Sequence, residues 1–198
     1  MSLILYIFLI VILCGCTKNA DEVEYKLQKL IIDDSVIMSN DEYRIIAPVW
    51  WSVSIYDGEK QYNKDLRQFT APQRYVFAIV WYMSEVNNGG HDQFYYNSTG
   101  IVWEDAMNGF QAIGAQENYS IIKESADMIG GSPNKDRKKR QKEMEKYDPD
   151  FDKLDERFYV SESVMLEKLH VYIKANAESF YFNGEVQIPS WSMLSYNN

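Results

Sequence analysis

The side chains of this sequence that could do chemistry gather in one stretch, Val86-Asn87-Asn88-Gly89-Gly90-His91-Asp92-Gln93-Phe94-Tyr95-Tyr96-Asn97-Ser98-Thr99-Gly100. It holds one of the chain's two histidines, an aspartate beside it and several amides. A histidine works as a general base when a partner orients it. Adjacent residues of a helix point apart, so His91 and Asp92 are not a natural dyad. Gln93 and Asn97 are four apart and share a helix face. A polar pocket for a ligand or peptide is one use of such a face, and a hydrolase pocket over residues 87–97 is the enzymatic version of it. The alternative use is structural: the amides satisfy backbone groups left open by helix ends at Gly89-Gly90 and at Ser98-Thr99-Gly100. We favour the structural use, with Asn87, Gly89, Gly90, His91, Gln93, Asn97 and Gly100 as the motif. The other histidine, His170, follows Leu169 on an apolar stripe and is expected at the edge of the core. Structural metal ligands arrive as spaced sets, and this chain has none, nor any cofactor motif. Neither metal, cofactor nor catalytic residue is therefore expected.

The elements that must position this stretch are helices. Thr70-Ala71-Pro72 is a helix start, with Thr70 as N-cap and proline in the first turn. From Gln73 to Val86 the helix is apolar on nearly every side, which marks it as buried. Asn88-Gly89-Gly90 stops it, and a short helix from His91 to Asn97 follows, with Asp92 in its first turn. Trp103, Ala106, Met107, Phe110 and Ile113 recur at helical spacing up to Gly114, and Tyr119, Ile122, Ala126 and Ile129 repeat the form up to Gly130-Gly131. These two should pack as a hairpin. Residues 134–146 are almost wholly polar, a solvated helix or a mobile connection. Asp148-Pro149-Asp150 restarts a short helix bearing Phe151, Leu154 and Phe158, and Ser161 caps a final helix through Met165, Leu169, Tyr172 and Ile173. Before residue 70, Glu24 to Ile32 is expected to be an amphipathic helix, and Asp41 to Tyr56 two short helices hinged near Pro48, with a strand as the alternative. The tail beyond Asn183 shows no periodicity, although Trp191 and Leu194 could dock on the body. No convincing pair of strands emerges. The expected class is all-α, an irregular single-domain helical bundle.

The first residues are an address. Leu3 to Leu13 is an unbroken apolar run, too short for a bilayer span of about 20 residues and of the right length for the core of a signal peptide. Leu13-Cys14-Gly15-Cys16 resembles the lipobox of bacterial lipoproteins, in which cleavage precedes an acylated cysteine. By that resemblance residues 1–15 are a signal peptide, Cys16 carries the lipid and residues 16–22 form a tether. Residues 23–69 are then an N-terminal helical extension, 70–182 the helical core and 183–198 an irregular tail. The implied location is the cell envelope, on a bacterial membrane through the lipid; a start after Cys16 would make the protein cytoplasmic instead.

Formal charge is −9, which argues against direct nucleic-acid binding or attraction to an anionic surface. Residues 135–142 hold six bases against one acid, so the remainder is more acidic still. Aromatic residues make up 15% of the chain, and they serve both cores and interfaces. The run from Trp81 through Ser84-Glu85 and Asn88-Gly89-Gly90-His91 to Gly100 resembles the signature of bacterial proteins grouped with DNA mimic protein 19. Leu154-Asp155-Glu156-Arg157-Phe158-Tyr159 and Tyr172-Ile173-Lys174-Ala175-Asn176 look like further landmarks, and the similarity spans Thr70 to Phe182. The resemblance implies an all-helical domain, and in the naming member an acidic surface that imitates DNA phosphates and occupies a DNA-binding regulator. Such mimicry needs carboxylates spaced like phosphates. The basic run and the lipobox set themselves against it, so the leading expectation is a lipid-anchored, non-enzymatic domain that binds an as yet unidentified protein. Labelled fatty acid supplied to the cells should be incorporated into the protein and lost in Cys16→Ser; label that survives the substitution rejects the anchor.

Overall fold

Thr70 starts the helix on which the rest of the domain is stacked. In the computed structural model, which describes residues 24–190, the Thr70 hydroxyl accepts the Gln73 N–H at 3.3 Å, and the Gln73 side-chain oxygen accepts the Thr70 N–H at 2.9 Å. This reciprocal box, with Pro72 in the first turn, settles donors that a helix start leaves open. The helix runs from Ala71 to Tyr96 with a break at Gly89 and Gly90. Val76, Phe77, Ala78, Ile79 and Val80 are all fully buried. Five consecutive buried residues require cover on every side of the helix.

In chain order the described residues form strand β1 (Tyr25–Ile32) and the short helices α1 (Asp34–Met38), α2 (Glu42–Ile45), α3 (Ala47–Ser52) and α4 (Gly58–Leu66). The long kinked helix is α5 (Ala71–Tyr96), and a 3-10 turn, Ser98–Val102, leads to α6 (Trp103–Ala112) and α7 (Gln116–Met128). Helices α8 (Arg137–Tyr147) and α9 (Asp152–Ala175), a 3-10 turn at Ala177–Ser179 and strand β2 (Phe182–Pro189) complete the fold. The described residues are thus a mostly helical single domain with a two-stranded ribbon. Helix α5 is covered by α6, α8, α9 and α3. The expected pairing of α6 with α7 is present, and α2 and α3 part at Ile46, next to Pro48. Trp50 stacks on Trp81 with ring centres 4.0 Å apart, so this aromatic pair belongs to the packing between α3 and α5.

The structure corrects the sequence reading in three places. Residues 25–32 are a strand, not a helix, and their partner is the tail expected to be irregular: β1 and β2 pair antiparallel from Tyr25↔Pro189 to Ile32↔Phe182. Leu30, Val186 and Ile188 point inward with Ala47 in a small second core. The alternation that marks the strand covers few residues, and its pairing partner lies at the other end of the chain. A two-stranded ribbon is marginal alone, so α3 beneath it supplies the burial. Second, α9 is one continuous helix through Ser161. That hydroxyl does not cap a helix start; it donates to the Phe158 carbonyl at 3.1 Å and accepts from Asn118 Nδ2 at 3.0 Å, a local bond open to any serine inside a helix. Third, of the two alternatives for the polar segment 134–146 the solvated helix forms, as α8 from Arg137, but its Arg140 is fully buried. No described helix is long and apolar enough to cross a membrane. The signal peptide, Cys16, Trp191 and Leu194 lie outside the described residues. Ile188→Ala, at a fully buried position, should lower stability by about 2–4 kcal/mol in urea unfolding; a loss within error rejects the ribbon as part of the cooperative core.

Candidate functional site

The break in α5 opens backbone groups inside the protein, and charged side chains from elsewhere settle them. Gly89 adopts φ −163°, ψ 29° and Gly90 φ 70°, ψ −173°, so the chain leaves the helix and restarts at His91. A restarted helix needs a cap. Asp155 of α9 supplies it: Oδ1 accepts the His91 backbone N–H at 3.0 Å and faces the His91 ring Nδ1 at 2.5 Å. The carboxylate sits against Gly90, where an added Cβ would lie 2.2 Å from Asp155 Oδ2. Glycine at 90 therefore answers two demands, a left-handed backbone and room for an anion.

His91 is fully buried. A carboxylate only accepts, so Nδ1–H donates to Asp155, and Nε2 shares a hydrogen bond with the Tyr82 hydroxyl at 2.5 Å. The Tyr82–His91–Asp155 row has the form of a proton relay. Its inner end, however, is a tyrosine at 0% exposure, met edge-on by Phe94, Phe110 and Phe158. Burial first, then the charges of Tyr95 and Asp155, push the Tyr82 hydroxyl well above the usual tyrosine range. Within this ring of aromatics the phenol is held neutral. The row joins both segments of α5 to α9.

Glu85 settles the bend from the other side. Its Oε2 accepts Gln93 Nε2 at 2.8 Å and Asn97 Nδ2 at 3.0 Å, bridging the two halves of α5 across the break. The expectation that these amides serve loose backbone ends is thereby corrected: they serve a carboxylate. Here too a glycine makes the room, since a Cβ on Gly89 would meet Gln93 Oε1 at 2.4 Å. Along α9, Tyr159 donates to the Val86 carbonyl at 3.1 Å, and Glu162 accepts from Asn87 Nδ2 at 2.5 Å. Asp155, Tyr159 and Glu162 lie four and then three residues apart, one face of a helix.

The far end of α5 is closed by the basic run. Arg140 donates to the carbonyls of Tyr95 at 2.7 Å, Asn97 at 2.6 Å and Asn134 at 2.6 Å. Arg137 Nε and Gln141 Nε2 both donate to the Tyr96 carbonyl at 3.0 Å. Three successive carbonyls at a helix C-terminus thus receive donors from α8, each from an arginine whose charge also suits the negative end of the helix dipole. Gly100 leaves space for this, as a Cβ there would stand 2.5 Å from Arg140 Nε. Burial draws the Arg140 pKa down to about 10, and the guanidinium stays protonated at neutral pH. Lys135 pairs with Glu104 at 2.8 Å.

Outside this buried framework lies an acidic rim. Asp92 sits beside Asp150 and Asp152 at the entrance to α9, with Asp155 behind them. Partial burial first, then Asp155 and Asp152, raise the Asp92 pKa; His91 opposes and Asp150 adds to the rise. Among the described residues no ion pair with lysine or arginine engages Asp92, Asp150 or Asp152.

Residues 67–176, the segment that contains the kink and all of these partners, match the model of the DMP19-like protein family. The chain belongs to that family. No curated protein and no solved structure matches it. Of the predicted motif, Asn87, Gly89, Gly90, His91, Gln93 and Asn97 bear on the α5 break and Gly100 lies beyond the far end of α5 beside Arg140, while Glu85, Asp155, Tyr82 and Arg140 are the partners that sequence reasoning missed. The second landmark of the DMP19-like resemblance, which contains Asp155, was the available signal for one of them. His170 stands 3.1 Å from Glu42, half-buried as expected. Gly90→Ala should cost about 2 kcal/mol or more, through strained backbone and a displaced Asp155. Arg140→Lys should cost about 2–4 kcal/mol, because an ammonium cannot fork to three carbonyls. Urea titrations that leave either variant unchanged reject the framework described above.

Proposed function

We propose that the protein is a non-enzymatic protein-binding domain whose acidic rim, Asp92, Asp150 and Asp152, meets a basic surface of its partner. In this reading an acylated Cys16 holds the domain at the envelope of a bacterial cell. The supporting observation is that Asp92 stands among carboxylates with no cation between them, at a cost to the folded state. The elevated pKa of Asp92 reflects partial burial first and then the charges of Asp155 and Asp152: a carboxyl whose folded pKa is raised destabilises the fold when ionised, above that pKa, and ceases to do so as pH falls through it. A partner's Lys and Arg would relieve the repulsion. The closed aromatic surroundings of Tyr82 favour the same non-enzymatic reading, since His91 and Asp155 are committed to backbone and core groups.

A second reading is favoured by family membership and by the fate of the basic run. It is the DNA-mimic role, in the cytoplasm, with a start after Cys16. Three of the six bases that set themselves against it are engaged within the fold: Arg137 and Arg140 turn to carbonyls and Lys135 to Glu104.

The full chain, immobilised, should capture basic proteins from its own cells, with retention falling steeply between about 50 and 200 mM salt. Asp92→Asn combined with Asp150→Asn and Asp152→Asn should weaken capture about tenfold. Asp92→Asn alone should raise stability at neutral pH, with the gain fading as pH falls through the carboxylate range. Capture unaffected by the triple substitution rejects the acidic rim. Captured envelope proteins support the anchored reading, and captured DNA-binding regulators the mimic.

A further inference from the structure

We propose that the outward face of the β1–β2 ribbon rests on the lipid bilayer, an inference that itself depends on the anchored reading of Cys16. Side chains alternate across a strand, and along β1 the two sides differ sharply. Leu30 and Ile32 are buried, whereas Tyr25, Leu27 and Ile31, on the opposite side, are 58%, 65% and 48% exposed. Three apolar or aromatic residues on one side of one strand form a row for which the described fold has no cover. Lys29, between Leu27 and Ile31, stands opposite Glu185 of β2 in the register, so the charges of the face offset one another although the chain as a whole carries −9. An apolar row with balanced charge suits an uncharged bilayer surface, and the tyrosine at its end is the side chain that favours the boundary between lipid and water.

The tether selects this occupant. Residues 17–24 separate Cys16 from β1 and reach roughly 30 Å at full extension. A domain of this size is about 40 Å across, so the lipid holds the Tyr25 end of the ribbon nearer to the membrane than the far side of the helical body. The face that carries Tyr25, Leu27 and Ile31 begins where the tether enters. Ser190, whose N–H donates to the Glu24 carbonyl at 2.7 Å, brings the end of β2 to the same place.

The processed chain from Cys16 onward contains one thiol and can be coupled through it to a maleimide-bearing lipid in phosphatidylcholine vesicles. With Leu27 replaced by photoreactive benzoylphenylalanine, illumination should give several-fold more protein–lipid adduct than the same replacement at Val160, an exposed position on α9. Equal or lower adduct at position 27 overturns the proposal. So does a cross-link from position 27 to residues 191–198 or to a second copy, since either would be the true cover of the row. Chemical coupling bypasses acylation in the cell, so failure here leaves the anchored reading standing. A native Cys16 without fatty acid rejects that reading whatever position 27 contacts.

Discussion

The contact on which the structure most depends is the Asp155 carboxylate against Gly90 and His91. A helix that breaks in the middle of a core exposes N–H groups on one side of the break and carbonyls on the other, and each unpaired group there costs about 1–3 kcal/mol. Total stabilities are about 5–15 kcal/mol, so a break left unattended would consume much of the margin. Asp155 takes the N–H of the restarted segment, Tyr159 takes a carbonyl of the segment that ends, and Arg140 with its neighbours takes the carbonyls at the far end. These partners come from α8 and α9, which follow α5 in the chain, so the α5 bend is secure only when the later helices have docked.

This dependence explains why glycines and amides crowd one stretch. Gly89, Gly90 and Gly100 each face a polar side chain that a Cβ would strike: Gln93, Asp155 and Arg140 in turn. Conformational freedom is needed at Gly90, with its φ of 70°; at Gly89 and Gly100 the requirement is space. The pattern that resembles a binding loop is a set of clearances for one internal amide and two internal charges. Burying charge is costly unless hydrogen bonds are complete, and Arg140 shows how completely the chain meets that condition.

What could be read from the sequence follows the range of the interaction. The capping box at Thr70, the break at Gly89-Gly90 and the stripes of α6 and α7 are local, and the residues that cause them lie within a few positions of one another. The ribbon was invisible because β1 and β2 lie at opposite ends of the domain and each shows only a short alternation. Ser161 misled because a serine before an apolar stripe resembles a cap, although it bonds equally well to a preceding carbonyl inside a helix. In the motif, His91, Gln93 and Asn97 could be identified as a group, yet their partners could not. Asp155 lies 64 residues from His91 and Arg140 lies 45 from Tyr95. A polar helix with one buried arginine has the same composition as one with none.

The acidic rim stands apart from this economy. Everywhere else in the motif a charge is answered: Asp155 by His91, Glu85 by two amides, Arg140 by carbonyls, Lys135 by Glu104. Asp92, Asp150 and Asp152 form no ion pair with lysine or arginine among the described residues, and Asp150 Oδ1 accepts the Asp152 backbone N–H at 3.1 Å, although Asp92 is one residue from the His91–Asp155 contact. Folding does not require that arrangement, since an asparagine at 92 would ease the repulsion without touching the Asp155 cap. On the proposed reading, a charge that weakens the fold and lies on the rim rather than in the framework would find its favourable partner outside the molecule. The framework fixes the position of that rim: Asp155 holds His91, and Asp92 follows it on the same turn. Rigidity at the break and the placing of Asp92 at the surface are therefore two effects of one contact, the carboxylate of Asp155 against Gly90 and His91.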